Sequence, residues 1–175
     1  MFRAATEARR AAIRPREVFE RVKRSVLDQD ADGFADLFAS DGVMEFPLAG
    51  AAVGLPDCLE GREQIRLHVS AAMRQARQAG RRPTAYDDLM LHETADPEVI
   101  IVEFDLHGEL RGAGAYQLPC VQVFRIRDGA IVWFRDYFAS NQLPATVAPR
   151  DRRVAPGSEL DLEDPALGAD QPAGA

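Results

Sequence analysis

A chain of 175 residues, 46% hydrophobic and 28% charged, has the length of one domain and the composition of a globular one. No stretch approaches the roughly 18–20 apolar residues that a membrane span needs, and a net charge of −7 with no basic element argues against a nucleic-acid groove. Cys58 and Cys120 show no CxxC spacing and nothing marks the chain as secreted, so two free thiols and a cytoplasmic address are expected.

Met1 to Pro15 is arginine-rich, carries Glu7 and has no apolar h-region, so residues 1–14 are expected to form a lead-in and not a secretory signal. Pro15 opens the first helix at the position where its missing N–H is not needed. Val18, Phe19, Val22, Val26 and Leu27 then recur at 3–4 spacing as far as Asp28. After a turn at residues 30–33, Phe34, Leu37 and Phe38 predict a short second helix that stops near Gly42. Gly42 to Leu48 reads as a strand that Pro47 confines to an edge or a bulge. Residues 49–60 read as loop. A third helix starts at Gly61-Arg62-Glu63, carries Ile65, Val69, Ala72, Met73 and Ala76 on one stripe, and ends at Gly80.

Beyond Gly80 the apolar period switches from 3.6 to 2, predicting strands over 84–94, 98–109, 115–127 and 130–140. Asp96-Pro97 and Asp128-Gly129 supply tight turns, so the strands form an antiparallel meander whose one face the three helices cover, an α+β arrangement. The folded domain is expected over 15–144. Residues 145–175, rich in proline, glycine, alanine and acid, are expected to be a disordered acidic tail.

Two passages carry a family resemblance. DGAIVWFRDYF at 128–138, preceded by YQLPCVQVFRI, resembles the last two strands of SnoaL-like and limonene-epoxide-hydrolase-like proteins of the nuclear-transport-factor-two-like superfamily. DADGFADLFASDGVMEFP followed by GREQIRLHV resembles the front half of the same superfamily, so that the match spans residues 15–142. The resemblance implies a cone-shaped, curved antiparallel sheet with three N-terminal helices covering its concave face. It speaks less to the reaction, since this superfamily hosts isomerases, cyclases, hydrolases and pure binders.

Alternation sorts the polar candidates. In the second meander strand Glu103, Asp105 and His107 share one face with Val99 and Ile101, and Ile100, Val102, Phe104 and Leu106 share the other. Two carboxylates and an imidazole on a covered face demand partners or a ligand, and the polar face is expected to line a pocket; an all-solvent polar face is the alternative. In the last strand Asp136 lies among Val132, Phe134 and Phe138, either as a pocket carboxylate or as a partner of Arg135 or Arg125. Leu118, Cys120, Gln122 and Phe124 are expected to face the same pocket from the neighbouring strand, with Gln122 placed to orient a carbonyl.

The resemblance implies roles for these positions. In epoxide hydrolases of the superfamily an Arg-x-Asp pair and a second aspartate position and deprotonate a water; by position the aspartates fall on Asp105 and Asp136, and the arginine on Glu103. Without that arginine the trio would repel, raising at least one pKa and suiting proton transfer to a carbonyl, enol or ether oxygen. His68 borders the apolar stripe of the third helix, either as a packed residue or as a pocket group. The catalytic aspartate of steroid isomerase relatives falls on Phe46, and a slip of one residue at the Pro47 bulge would bring Glu45 into the pocket instead.

Tyr86, Tyr116 and Tyr137 are expected at the rim or in the sheet. His68, His92, His107 and the cysteines lack ligand spacing, and Gly112-x-Gly114 has no following helix, so neither a metal nor a dinucleotide cofactor is expected. The expectation is a cofactor-independent acid/base enzyme acting on a bulky apolar small molecule, a polyketide-type cyclase or isomerase with Asp136 and Asp105 as its catalytic pair. Epoxide opening and a non-catalytic ligand-binding module are the alternatives. A homodimer is expected through the sheet's outer face, carried by Ile100, Val102, Phe104, Leu106, Val121, Val123, Ile131, Trp133 and Tyr137.

Overall fold

The computed structural model describes residues 13–48 and 56–138; the acidic tail and most of the lead-in lie outside them. In chain order the elements are α1 (Pro15–Asp28), α2 (Ala31–Ala35), β1 (Phe38–Glu45), β2 (Cys58–Glu60), α3 (Arg62–Gln78), β3 (Arg81–Glu93), β4 (Val99–Leu110), β5 (Gly114–Arg127) and β6 (Ala130–Phe138). The strands form one curved sheet in the order β2-β1-β6-β5-β4-β3, with the helices in the N-terminal half of the chain: the α+β cone expected from the sequence.

β3 to β6 form the predicted antiparallel meander. β1 adds to β6 in parallel, and β2, which lies in the segment expected to be loop, pairs antiparallel to β1. The second helix is shorter than expected. Asp30 caps it by accepting from the Gly33 amide at 2.9 Å, and Phe38, expected at its end, instead opens β1. β1 therefore begins four residues early and ends before Pro47, whose missing N–H cannot extend the ladder.

α1 buries Val18, Phe19 and Val22 completely. Phe19 meets Phe104, Phe124 and Tyr86 at centroid distances of 6.4, 5.8 and 6.3 Å, so one side chain from the helix joins β3, β4 and β5. Arg66 on α3 pairs with Asp32 and Asp36 of the α2 segment and with Glu63, holding the two helices together at the surface.

The face of β4 is opposite to the one expected. Ile100, Val102 and Phe104 are 4% exposed or less and face the helices, so Glu103, Asp105 and His107 lie on the outer side of the sheet. The register explains it: Val102, Phe104 and Leu106 stand opposite Gln122, Cys120 and Leu118, the inward residues of β5. Burying Ile100, Val102 and Phe104 in the core contributes about 1.5–3 kcal/mol each, and no array of carboxylates competes with that. Of the apolar band expected on the outer face, Ile100, Val102 and Phe104 are therefore core and Leu106 packs against it; Ile131 joins them, because Val132 bulges out of the β5–β6 ladder between Ile131 and Trp133.

Phe19→Ala should destabilise the domain by about 3–5 kcal/mol, read as a shifted midpoint in urea unfolding. A loss below 1 kcal/mol would show that α1 does not anchor the sheet.

Candidate active site

α3 packs chiefly against the two ends of the sheet, β1 and β2 on one side and β3 on the other. The sheet curves away between these ends, and a cavity of about 320 Å³ remains between α3 and the central strands. That is the lower end of the size range of small-molecule sites. His68, Val69, Ala72 and Met73 line it from the helix; Phe104 and Leu106 of β4, Leu118, Cys120 and Gln122 of β5, and Phe134, Asp136 and Phe138 of β6 line it from the sheet.

Asp136 is the carboxyl group in this apolar lining. Its neighbours along the strand face are Phe134 and Phe138, and its side chain lines the cavity. Burial disfavours the charged form and pushes the pKa up to about 7, an increase that the hydrogen bond from Gln122 partly opposes. Gln122 stands directly opposite Asp136 in the β5–β6 register and donates from Nε2 to Oδ1 at 3.1 Å. The other end of the amide, Oε1, is buried and has no hydrogen-bond partner among the described residues.

The structural alternative for Asp136 was an ion pair with Arg135 or Arg125. Arg135 pairs instead with Glu45, and Arg125 with Asp96 and Glu98, so both guanidinium groups are engaged away from the cavity. Glu45 is thereby placed outside the lining and Phe46 within it, 6% exposed and edge-on to Phe138 at 6.4 Å. The one-residue ambiguity at Pro47 resolves in favour of Phe46.

Of the residues predicted for the site, the cavity brings together Asp136, Gln122, His68, Phe134, Phe138, Cys120 and Leu118. It does not include Asp105, Glu103 or His107. Glu103 pairs with His92 at 2.9 Å and His107 lies 3.5 Å from Asp87, both at the outer surface. Asp105 is 1% exposed all the same, and accepts from Gln117 Nε2 at 2.6 Å. The two aspartates expected as a catalytic pair lie on opposite faces of the sheet. The cause is the inversion of β4.

Two tyrosines expected at the rim or in the sheet belong to the lining. Tyr86 stacks on Phe104 at 4.5 Å, and burial, then the neighbouring Asp136 charge, hold its phenol far above the usual range, as a neutral hydrogen-bond donor. The Cys120 thiol is likewise held neutral, first by burial and then by Asp136. Tyr116 leans over Gly108, its partner across β4–β5: a Cβ at Gly108 would fall 2.2 Å from the ring. Register could have revealed both, since Tyr86 stands opposite Leu106 and Tyr116 opposite Gly108, on the apolar face of β4. Among the described residues no three His, Cys, Asp or Glu side chains converge as a metal-binding set.

Residues 17–134 match the sequence profile of the SnoaL-like domain. The chain belongs to the SnoaL-like family. An uncharacterised PhzA/B-like protein of Pseudomonas aeruginosa is 32% identical over 126 residues, covering 70% of this chain and 82% of its own length. Among solved structures, a provisionally assigned isomerase from Bacillus subtilis is 25% identical with a TM-score of 0.60, covering 70% of this chain and 84% of that one. A provisionally assigned polyketide cyclase from Pseudomonas putida, 20% identical with a TM-score of 0.55, covers 75% of this chain and 96% of that one and shares the fold. A SnoaL-like domain thus accounts for the cone, and the cavity lies between its α3 and its sheet.

The raised pKa of Asp136 has a consequence for stability. Between pH 3.8 and about 7 the unfolded chain releases this proton while the folded chain keeps it, so stability falls as pH rises through that window. Asp136→Asn removes the effect and keeps the acceptor for Gln122. The variant should match the wild type near pH 4 and exceed it by up to about 4 kcal/mol at pH 8 in urea unfolding. A difference between the two chains that does not change with pH would show that Asp136 is solvated.

Proposed function

We propose that this SnoaL-like protein is a cofactor-independent acid/base enzyme of the isomerase or polyketide-type cyclase class, acting on a bulky apolar small molecule with Asp136 as its proton carrier. The observation that carries the reading is a carboxyl group with no cation partner among the described residues, set in an apolar cavity and poised to be half ionised near neutral pH. The isomerase assignment of the Bacillus subtilis relative is consistent with it.

The chemistry balances within the substrate. The Asp136 carboxylate removes a proton from carbon next to a carbonyl, leaving an enolate. The neutral Tyr86 hydroxyl lines the same cavity as a donor for the oxygen on which charge develops. In an isomerisation the new carboxylic acid returns the proton to a different carbon. In a cyclisation the enolate carbon attacks a second carbonyl of the same molecule, and the resulting alkoxide takes the proton. Gln122 Oε1, buried with no partner among the described residues, suits a substrate hydroxyl or enol O–H. Water-driven epoxide opening needs a second carboxylate and a bridging cation beside Asp136; Asp105 faces away and Arg135 is bound to Glu45.

A homodimer through the outer face of the sheet, in the cytoplasm, remains part of this proposal on a smaller patch. Val121 is 38% exposed there, and Trp133, under the Arg135 guanidinium at 4.3 Å, and Tyr137 flank it. Val121→Glu should then turn a dimer into a monomer in light scattering; a wild-type monomer at all concentrations refutes the interface.

Proton abstraction is measurable before the natural substrate is known. Incubated in D2O with a panel of aryl 1,3-diketones and followed by proton NMR, the protein should accelerate α-proton exchange. The rate should rise through pH about 7 as Asp136 ionises. Asp136→Asn should lower it by about 10²-fold. Exchange that is equally fast in a folded Asp136→Asn variant refutes the assignment.

A further inference from the structure

Beside the apolar cavity, and sharing Gln29 and Arg81 with it, lies a second concavity lined by Arg77, Arg81, Arg82 and Arg111 with Glu109 as its carboxylate. Four arginines against one glutamate is unexpected on a chain of net charge −7. They come from three elements. Arg77 is in the last turn of α3, Arg81 and Arg82 begin β3, and Arg111 is in the β4–β5 turn.

A glycine makes this convergence possible. Gly80 has φ +74, and a Cβ there would fall 2.6 Å from the Arg111 Cβ. Its carbonyl accepts from the Arg111 amide at 3.0 Å, tying the β4–β5 turn to the end of α3. Arg82 is neutralised by Glu109 at 3.0 Å, and Arg77 donates to the Gln29 carbonyl at 3.1 Å. Arg81 and Arg111 have no carboxylate partner among the described residues. Arg81 also acts on the cavity itself: its charge opposes the effect of burial on Tyr116, whose phenol lines the apolar wall.

From this placement we infer that the substrate is an amphiphile, whose apolar body fills the cavity and whose anionic end, a carboxylate or a phosphate, is held by Arg81 and Arg111. The inference rests on the proposed function only in taking the cavity as the substrate site. Two guanidinium groups with no carboxylate partner among the described residues, at one end of a largely apolar cavity, orient such a molecule head outward, because the other end of the cavity holds Asp136, which would repel an anion. The reacting carbon is then set by its distance from the anionic end.

Binding measured by calorimetry tests this independently of turnover, with decanol, decanoate and decyl phosphate as probes. At low ionic strength the two anions should bind about fivefold or more tightly than decanol, and about 0.5 M salt should erase the difference. Arg81→Gln/Arg111→Gln should remove the preference by weakening the two anions more than decanol, with circular dichroism confirming the fold. Decanoate preferred over decyl phosphate, or the reverse, would identify which head group the site takes. Equal binding of all three probes by the wild-type chain, an anion preference that survives in the double variant, or no binding of any probe would overturn the inference. A D2O exchange defect in Asp136→Asn with no anion preference would leave the acid/base reading standing and remove this one.

Discussion

A carboxyl group flanked by Phe134 and Phe138 is worse off charged than it would be in water, and the guanidinium groups close to it in sequence are committed elsewhere. Its one described hydrogen bond comes from a neutral amide. Much of the rest of the site depends on that desolvation. It holds the acid near half ionisation at neutral pH, and through the Asp136 charge it adds to the burial that keeps Tyr86 and Cys120 protonated. The Gln122 contact depends in turn on register, since the two residues are direct partners across β5 and β6. A slip of β6 by one residue would turn Asp136 out of the cavity and break the pair.

The same curved sheet is solid at one end and hollow at the other. Under α1, Phe19 fills the concave face by touching three strands through aromatic rings. α3 is held at the sheet's two ends, so its Val69, Ala72 and Met73 face the central strands across open space. A curved sheet spanned by a straight helix leaves such a gap unless large side chains fill it. Here the helix offers alanines at 72 and 76, which do not.

The sequence made β6 and β5 legible and β4 misleading, and the difference is physical. Phe134, Asp136 and Phe138 alternate with Arg135 and Tyr137, and Leu118, Cys120 and Gln122 gave the matching face of β5; both faces point inward as read. β4 offers a wholly apolar face and a mostly polar one. The ordinary rule, apolar inward, decides its face, and the cluster of acids on the other side does not outweigh it. With the apolar face inward, Asp105, Glu103 and His107 leave the site, and the four β4 members of the apolar band leave the outer surface. The Val132 bulge, which puts Ile131 in the core, has no glycine or proline to announce it. The helix boundaries were easier: Pro15, Gly61 and Gly80 mark them within one or two residues.

Locally broken rules then separate structural from functional polarity. Many charged groups along the surface follow ordinary pairing: Arg66 with three carboxylates, Arg125 and Arg127 with Glu98, Arg82 with Glu109. The cavity holds two departures side by side: a carboxyl group that burial destabilises, and a buried amide oxygen with no described partner. Asparagine at 136 would keep the Gln122 hydrogen bond without the penalty of a buried charge, so folding alone gives no reason for an acid there. A titratable proton is what aspartate adds over asparagine, and the amide beside it leaves an acceptor that no described residue fills and that a bound molecule could. Two such departures at adjacent positions of one ladder point to a site shaped for a ligand at some expense to stability.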